Sequence, residues 1–143
     1  MNWEEHARMD TDIAGHLSTL YEYASKCKTV TEWGVRRGES TLALLEGVKQ
    51  NDGHVYSVDV APCYRARLRM VRLGLSKWWT FVQGDDLEVE ARPSEMVFID
   101  TDHYLEHTMK EIHRAVSLKP RYIFLHDVNA PLWPDMKKAV ELA

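Results

Sequence analysis

Two glycines and one acidic residue are spaced as a nucleotide-binding loop requires. Gly34 and Gly38 enclose the segment Val35-Arg36-Arg37, and Asp59 lies 21 residues after Gly38. Glycine allows the backbone to approach a ligand closely or to adopt a positive φ. An acid about 20 residues after such a loop binds ribose hydroxyls, because a carboxylate can accept two hydrogen bonds from a vicinal diol. The spacing predicts a nucleoside site, and the alternative role for Asp59 is to cap the turn after its strand.

The residues around the glycine loop discriminate between kinds of nucleoside. A dinucleotide-binding loop prefers a further glycine between the other two, so that a pyrophosphate can rest on the following helix. Here that middle position holds Arg36, and Glu32 lies two residues before Gly34. A carboxylate repels a pyrophosphate but attracts the amino group of a methionyl moiety. These residues therefore favour a methionyl nucleoside and argue against a nicotinamide-dependent oxidoreductase.

A second set of side chains suited to chemistry follows two later apolar runs, each of which predicts a buried strand. The set contains three acids and two histidines, namely Asp100, Asp102, His103, His126 and Asp127. Because neighbouring strand ends in such a sheet open onto one crevice, we expect the five side chains to converge. Burying several carboxylates together costs free energy through repulsion and desolvation, which a cation relieves. The alternatives are a metal-free site with His126 or His103 as general base, and acids that only cap loops.

The elements that position these residues alternate between helix and strand. Apolar residues at helical spacing predict helices, and short apolar or alternating runs predict strands. The predicted helices span about residues 10–26, 40–48, 64–73, 105–117 and 135–142, and the predicted strands span 28–33, 54–60, 80–83, 96–100 and 122–126. Strands that alternate with helices of this length form a parallel sheet covered on both faces. The sequence therefore predicts an α/β fold, a Rossmann-like three-layer sandwich with a mainly parallel five-stranded sheet.

Length and composition are those of an ordinary soluble protein. The 143 residues predict one domain, residues 1–143, with 45% hydrophobic and 28% charged residues. No apolar run approaches the roughly 20 residues that span a bilayer, and the N-terminus lacks the basic-then-apolar order of a signal peptide. Cys27 and Cys63 are too few for a disulfide framework, so we expect a cytoplasmic protein. The net charge of −4 argues against a nucleic-acid partner, and nothing predicts a membrane partner.

The string Glu32-Trp33-Gly34-Val35-Arg36-Arg37-Gly38-Glu39-Ser40 resembles the first motif of class I S-adenosylmethionine-dependent methyltransferases. It is most similar to the branch that contains macrocin and catechol-type O-methyltransferases and the cephalosporin hydroxylase-like proteins. In that branch an acid-x-Gly-x-x-x-Gly-x-Ser pattern cradles the cofactor. The resemblance extends from about Thr29 to Val128. It implies a Rossmann-like fold with S-adenosylmethionine as cofactor.

The resemblance also implies roles for individual residues in cofactor binding. Asp59 matches the family's ribose-binding acid. The turn Gly84-Asp85-Asp86 is similar to the adenine-binding turn, in which Asp85 would meet the exocyclic amine. The segments after the fourth and fifth predicted strands also match family motifs. The cofactor-binding residues implied in this way are Glu32, Gly34, Arg36, Gly38, Ser40, Asp59, Gly84, Asp85, Asp86 and Asp100.

For the reaction itself, the resemblance implies methyl transfer to a hydroxyl group of a small-molecule acceptor. In the similar O-methyltransferases, acids at the reaction centre bind a divalent metal ion that acidifies this hydroxyl. The corresponding metal ligands here are Asp100, His126 and Asp127, and the corresponding catalytic residues are Asp100, His103 and His126. Mg²⁺ prefers oxygen ligands, whereas the imidazole of His126 suits Mn²⁺ or Zn²⁺ better. The alternatives are a metal-free reaction and a non-catalytic module that binds S-adenosylmethionine or S-adenosylhomocysteine and acts through a partner.

The similar family normally continues beyond the fifth strand with an antiparallel pair of strands that completes a seven-stranded sheet. Only five strands are predicted before Ala143, as expected of a short form that lacks the last two strands. The fifth strand is then an uncovered edge, and exposed edges invite pairing with another chain. We therefore expect a homo-oligomer with the segment from Tyr122 to Ala143 in its interface.

Overall fold

Helices and strands alternate along the computed structural model, which describes residues 3–7, 14–101 and 104–126. The helices are α1 (Trp3–Ala7), α2 (Leu17–Ala24), α3 (Glu39–Lys49), α4 (Tyr64–Arg72) and α5 (Leu105–Ser117). The strands are β1 (Thr29–Trp33), β2 (His54–Asp59), β3 (Trp79–Gln83), β4 (Met96–Ile99) and β5 (Tyr122–Leu125). Two short 3₁₀ turns, Ala14–His16 and Ser76–Trp78, precede α2 and β3.

Each of the five strands begins and ends within one residue of its predicted position, and α5 has the predicted bounds. The first helix differs, because α2 begins at Leu17 rather than near residue 10. Gly15 lies in the 3₁₀ turn before it, and glycine disfavours a continuous α-helix. Helix α1 is not predicted, and its Trp3 stacks on Tyr21 of α2 with ring centroids 4.6 Å apart. The helix predicted at 135–142 lies outside the described residues.

The five strands form one parallel sheet in the order β3-β2-β1-β4-β5. Strand β1 lies at the centre, with Val30 opposite Val55 of β2 on one side and opposite Met96 of β4 on the other. Strands β2 and β3 therefore extend the sheet on one side of β1, and β4 and β5 extend it on the other side. In open sheets of this kind, ligands bind beyond the carboxyl ends of the strands at this reversal, here between β1 and β4. The predicted α/β fold with a parallel five-stranded sheet is confirmed.

Two separate hydrophobic cores lie on the two faces of the sheet. The larger core packs α2 and α3 against the sheet, through residues that include Leu20, Leu44 and Phe98. The smaller core lies on the other face, where Ala115 of α5 packs near Val97 and the indole of Trp33. Side chains of β4 are buried throughout, as its continuous apolar run predicts for a strand covered on both faces. With helices packed on both faces of the sheet, the carboxyl ends of β1 and β4 are held side by side at the reversal of strand order.

The connection from β3 to β4, residues 84–95, is the one crossover of the sheet that contains no helix in the described part of the chain. It passes over a cavity of about 230 Å³ whose walls include Trp33, Val58 and Val89. Directly after β3 the chain makes a tight turn, in which the backbone N–H of Leu87 donates to Oδ1 of Asp85 at 2.8 Å. This turn places Asp85 and Asp86 beside the carboxyl ends of the central strands.

Candidate functional site

The two loop glycines are required by packing within the protein. Gly34 has a φ of +97°, and a Cβ added to it would overlap the carbonyl oxygen of Asp100. Its glycine identity therefore lets the end of β1 lie against the end of β4. Gly38 has a φ of +84° and precedes the first turn of α3, where a Cβ would come within 2.9 Å of the Ala66 side chain. The loop can therefore lie close to both the sheet and α4.

Asp59 fastens this loop to the end of β2. Its Oδ2 accepts hydrogen bonds from the backbone N–H groups of Val35 at 2.8 Å and Arg36 at 3.1 Å. Its Oδ1 accepts a hydrogen bond from the N–H of Ala61 at 2.9 Å, which caps the turn after the strand. Burial alone would raise the pKa of Asp59, but these backbone hydrogen bonds outweigh it and hold the pKa below its usual value. The carboxylate is therefore charged, half-buried and fixed in place at neutral pH.

Glu32 lies beneath the loop rather than on the wall of a cleft. Its side chain is fully buried. One carboxylate oxygen accepts a hydrogen bond from Ser40 at 2.6 Å, and the other accepts from Thr41 at 2.7 Å and Ser57 at 2.6 Å. Burial raises the pKa of Glu32 to about 7, although the three hydroxyl donors act to lower it. In this structure both side chains hold α3 and β2 to β1, and neither lines the cleft, so their contact with the cofactor stays a prediction.

A cleft of about 470 Å³ opens at the carboxyl ends of the strands, beside the reversal of strand order. This volume falls in the range of sites for nucleosides and other small ligands. Six of the ten predicted cofactor-binding residues line it, and four do not. The lining residues are Gly34, Arg36, Val58, Asp59, Val60, Asp85, Asp86, Asp100, Thr101, Tyr104 and His107. Glu32, Gly38 and Ser40 are buried, and Gly84 is partly buried at the base of its turn.

Asp100 and His126 meet at the ends of β4 and β5. The Nδ1 atom of His126 lies 3.1 Å from Oδ1 of Asp100, and both side chains are buried. The backbone N–H of His126 donates to the carbonyl oxygen of Ile99 at 3.1 Å, which continues the pairing of the two strands. Asp100 also lines the cleft, whereas His126 does not. The predicted convergence of these two residues is therefore observed, while Asp102, His103 and Asp127 lie outside the described residues.

A group of side chains that sequence reasoning misses lies on the same cleft. His107 Nε2 is 2.9 Å from Oε1 of Glu111 and 3.4 Å from Oδ1 of Asp86. The Thr101 hydroxyl donates to the same Glu111 oxygen. A histidine on an amphipathic helix is ordinarily a surface residue. The sequence feature that could have indicated this contact is the four-residue spacing of His107 and Glu111, which puts both side chains on one face of α5.

The sequence profile of a family described as a methyltransferase domain matches residues 31–128. The chain belongs to this methyltransferase domain family. The protein is thus an S-adenosylmethionine-dependent methyltransferase of the class I, Rossmann-like type, and the predicted family is confirmed.

Solved structures similar to this methyltransferase share its fold at low sequence identity. The cofactor-bound protein Rv0187 from MTB is 22% identical with a TM-score of 0.78, and the match covers 98% of this chain and 73% of that one. An O-methyltransferase from Bacillus cereus in complex with SAH is 20% identical with a TM-score of 0.75. This match covers 90% of the present chain and 68% of the Bacillus cereus chain. The O-methyltransferase TomG from Streptomyces achromogenes is involved in tomaymycin synthesis and was solved in complex with SAM. It is 17% identical with a TM-score of 0.75, and the match covers 90% of the present chain and 67% of TomG. No protein of curated function matches the sequence.

The two thiols of the methyltransferase are not suited to nucleophilic chemistry. Cys27 is buried in the larger core, and burial raises its pKa to about 11. Burial and the neighbouring Asp59 carboxylate raise the pKa of Cys63 to about 12. Because the thiolate is the reactive form, both cysteines are protonated and weakly nucleophilic at neutral pH.

Proposed function

We propose that the methyltransferase carries a methyl group from S-adenosylmethionine to a hydroxyl group of a small molecule, with residues 1–143 acting as one domain. The observation that carries this proposal is the cleft at the reversal of strand order, because both Asp59 and Asp100 line it. One carboxylate suits nucleoside binding and the other suits the proton of an acceptor. The names of the similar O-methyltransferases from Bacillus cereus and Streptomyces achromogenes support a hydroxyl acceptor.

The cleft offers the groups that a methionyl nucleoside needs. A carboxylate has about four acceptor sites; backbone N–H groups fill three of those on Asp59 and the Cys63 thiol also hydrogen-bonds to it, so a ribose hydroxyl would take the place of the thiol. Asp85 is exposed and uses only Oδ1 within its own turn, so its other oxygen is available for the adenine amine. Gly34 and Arg36 form the loop wall of the same cleft. The bound cofactor supplies an already activated methyl group, so correct placement of the acceptor provides much of the rate enhancement.

Asp100 is the residue that we propose to take the acceptor's proton. Its Oδ1 is held by His126 at 3.1 Å, so the orientation of the carboxylate on the cleft is fixed before any acceptor arrives. His126 then acts as a positioning residue, and His103 is the further candidate for general base. The alternative form of the proposal places Mg²⁺ or another divalent ion at Asp100, His126 and Asp127. In that form the ion would acidify the acceptor hydroxyl.

The test combines cofactor binding with methyl transfer on the same preparations. Calorimetry measures the affinity for S-adenosylhomocysteine, and radiolabelled S-adenosylmethionine reports transfer to phenols, catechols and aliphatic alcohols, with and without Mg²⁺. We expect Asp100→Asn to abolish transfer while cofactor affinity stays within about threefold, because the carboxylate acts mainly in the transition state. Glu106→Gln, an exposed acid on α5, is the matched control.

Three outcomes of this test decide between the alternatives. Transfer that survives Asp100→Asn contradicts the role of Asp100. Wild-type protein that binds the cofactor but methylates none of the acceptors supports the non-catalytic module instead. Transfer that requires Mg²⁺ after treatment with a chelator supports the metal-dependent form.

We also propose that the methyltransferase is a cytoplasmic homo-oligomer that pairs through β5. Within the described residues β5 is the outermost strand of its side of the sheet, and all four of its side chains are partly exposed. Unpaired strand edges favour association with a second copy. No helix among the described residues is long and apolar enough to cross a membrane. Light scattering at micromolar concentration should give at least twice the mass of one chain, and a strictly monomeric protein would contradict the proposal.

A further inference from the structure

Three side chains on the wall of the cleft form an acid–histidine cluster, which consists of Asp85, Asp86 and His107. One ligating atom of each lies within 4.8 Å of the ligating atoms of the other two. Asp85 and Asp86 come from the turn after β3, and His107 comes from the first turn of α5. The cluster is therefore assembled from two elements that are far apart in sequence, and both are held by the central sheet.

The distance between His107 and Asp86 suits two ligands of one metal ion better than a hydrogen bond. His107 Nε2 and Asp86 Oδ1 are 3.4 Å apart, beyond the usual range of 2.7–3.2 Å for N–H···O hydrogen bonds. In a tetrahedral site with bonds of about 2.1 Å, neighbouring ligand atoms are about 3.4 Å apart. These two atoms are thus already separated as ligands of one ion would be. The third ligand, Asp85, has a carboxylate oxygen within 4.8 Å of both of these atoms.

The cluster also has fewer hydrogen-bond donors than its carboxylate oxygens need, which again favours a bound cation. His107 Nε2 faces oxygens of both Asp86 and Glu111, but one nitrogen can donate only one proton. Asp86 is 5% exposed, and its second oxygen, Oδ2, has no hydrogen-bond partner among the described residues. Neither Asp85 nor Asp86 forms an ion pair with a lysine or arginine in the part of the chain that the structure describes. A buried carboxylate oxygen without a partner is costly, and a cation is the ligand that removes this cost.

We propose that Asp85, Asp86 and His107 bind one divalent transition-metal ion, for which Zn²⁺ is the representative. Two carboxylates and one imidazole match the ligand preference of Zn²⁺ or Mn²⁺, whereas Mg²⁺ prefers oxygen ligands alone. An ion on Nε2 would replace the proton that His107 shares with Glu111 at 2.9 Å, so Glu111 would lose this contact, keep the hydrogen bond from the Thr101 hydroxyl and contribute its negative charge beside the ion. Asp85 and Asp86 thereby gain a role that differs from adenine binding.

This ion site is distinct from the reaction centre at Asp100 and His126. The two groups share the cleft, but none of the three proposed ligands belongs to the Asp100–His126 pair. The inference does not depend on the proposed methyl transfer, because ion binding is measured without cofactor or acceptor. Both proposals use Asp85, so an ion at this site would compete with the adenine amine for the second oxygen of Asp85, whereas the tests of Asp100 and of Zn²⁺ binding are read separately.

The test is a calorimetric titration of the full chain, stripped with a chelator, with Zn²⁺ and separately with Mg²⁺. We expect one Zn²⁺ per chain and at least tenfold weaker binding of Mg²⁺. His107→Ala, Asp86→Asn and Asp85→Asn should each weaken Zn²⁺ binding at least tenfold. His113→Ala is the matched control, because His113 is an exposed histidine on the same helix, and it should change the affinity less than twofold.

Two further measurements distinguish this site from Zn²⁺ binding elsewhere on the protein. Zn²⁺ should raise the melting temperature of wild-type protein but not that of His107→Ala, since an ion that binds only the folded state stabilises it. Asp100→Asn should keep full Zn²⁺ affinity, which places the ion away from the reaction centre. Equal affinity in wild type and His107→Ala, absence of saturable binding, or loss of binding in Asp100→Asn would each overturn the proposal. Asp85→Asn guards against misfolding, because Asp85 is exposed.

Discussion

Glu32 in β1 and Asp86 after β3 are both buried carboxylates near the carboxyl ends of the sheet, but their neighbours satisfy them very differently. Glu32 accepts hydrogen bonds from three hydroxyl groups supplied by α3 and β2. Asp86 shares a single imidazole nitrogen with Glu111, and its Oδ2 has no partner among the described residues. Glu32 does not line the cleft, whereas Asp86 does.

This difference separates a carboxylate that holds the fold from one that is ready for a ligand. A fully satisfied buried network rigidifies the protein, and here it fixes the glycine loop against β1. An incompletely satisfied buried group costs stability unless something outside the chain completes it. Both acids lie in motifs that suggest cofactor contact, so residue type and spacing alone do not separate them. Substitutions at each acid should therefore change stability by different amounts and in different directions.

Replacing Glu32 should have the largest effect on stability. Glu32→Ala removes the common acceptor of Ser40, Thr41 and Ser57 and leaves a cavity between β1 and α3. We expect the free energy of unfolding to fall by about 4 kcal/mol, since both a buried polar network and packing are lost. Urea denaturation measures this quantity, with Glu46→Ala on α3 as the control, expected to change it by less than about 1 kcal/mol. A loss below about 1 kcal/mol for Glu32→Ala would contradict the structural role.

The pH dependence of stability should carry the signature of the same carboxyl group. Burial raises the pKa of Glu32 from 4.5 to about 7 in the folded protein. The folded state therefore holds a proton that the unfolded state releases between these values, so this contribution is full below pH 4.5 and is lost as pH rises towards 7. The loss amounts to about 3 kcal/mol. Denaturation curves from pH 4 to 8 should show this decline in wild type and not in Glu32→Gln, and parallel curves for the two proteins would refute it.

Replacing Asp59 should weaken cofactor binding more than it weakens the fold. Asp59→Asn keeps one oxygen as an acceptor but removes the charge and one side of the loop attachment. We expect about tenfold weaker binding of S-adenosylhomocysteine and about 1 kcal/mol lower stability. A ribose-deoxygenated analogue separates the two effects, because it should bind wild type more weakly and Asp59→Asn little differently from the parent compound. Equal loss for the analogue in both proteins would place the ribose elsewhere.

Replacing Asp86 should have a much smaller effect on stability than replacing Glu32, and in the opposite direction. Asp86→Asn removes one negative charge from the group that contains Asp85 and Glu111. In metal-free protein we expect the free energy of unfolding to rise by about 1 kcal/mol, since an unsatisfied buried charge is removed. Thermal and urea denaturation in the presence of a chelator measure the change. A loss of stability comparable with that of Glu32→Ala would show that Asp86 is satisfied in the folded protein.

The sequence predicts the strands and the glycine positions well, because both depend on local rules. Continuous or alternating apolar runs place each strand within one residue, and the residues after β1 and β4 meet at the reversal as expected. The predicted approach of Asp100 and His126 is also observed, because adjacent parallel strands bring their carboxyl ends together. The first helix is placed less well, because the 3₁₀ turn that contains Gly15 delays the start of the regular helix to Leu17.

Glu32 and His107 have partners in the folded protein that their own sequence motifs do not indicate. Glu32 lies in a motif that suggests contact with the cofactor, but its carboxylate is engaged by Ser57, a residue 25 positions away on the next strand. His107 lies on a helix that suggests solvent exposure, but Asp86 reaches it from the turn after β3. In both cases the partner comes from an element distant in sequence.

The amino-acid sequence by itself determined the order of the elements, the parallel sheet and the placement of the loop and acids at its carboxyl ends. These features follow from periodicity, turn chemistry and the covalent spacing of neighbouring elements. Only the tertiary structure decided which carboxylates are satisfied and which face the cleft. The reason is that burial and hydrogen-bond partners depend on how distant elements pack in space, and that packing is not encoded in the spacing of any one motif.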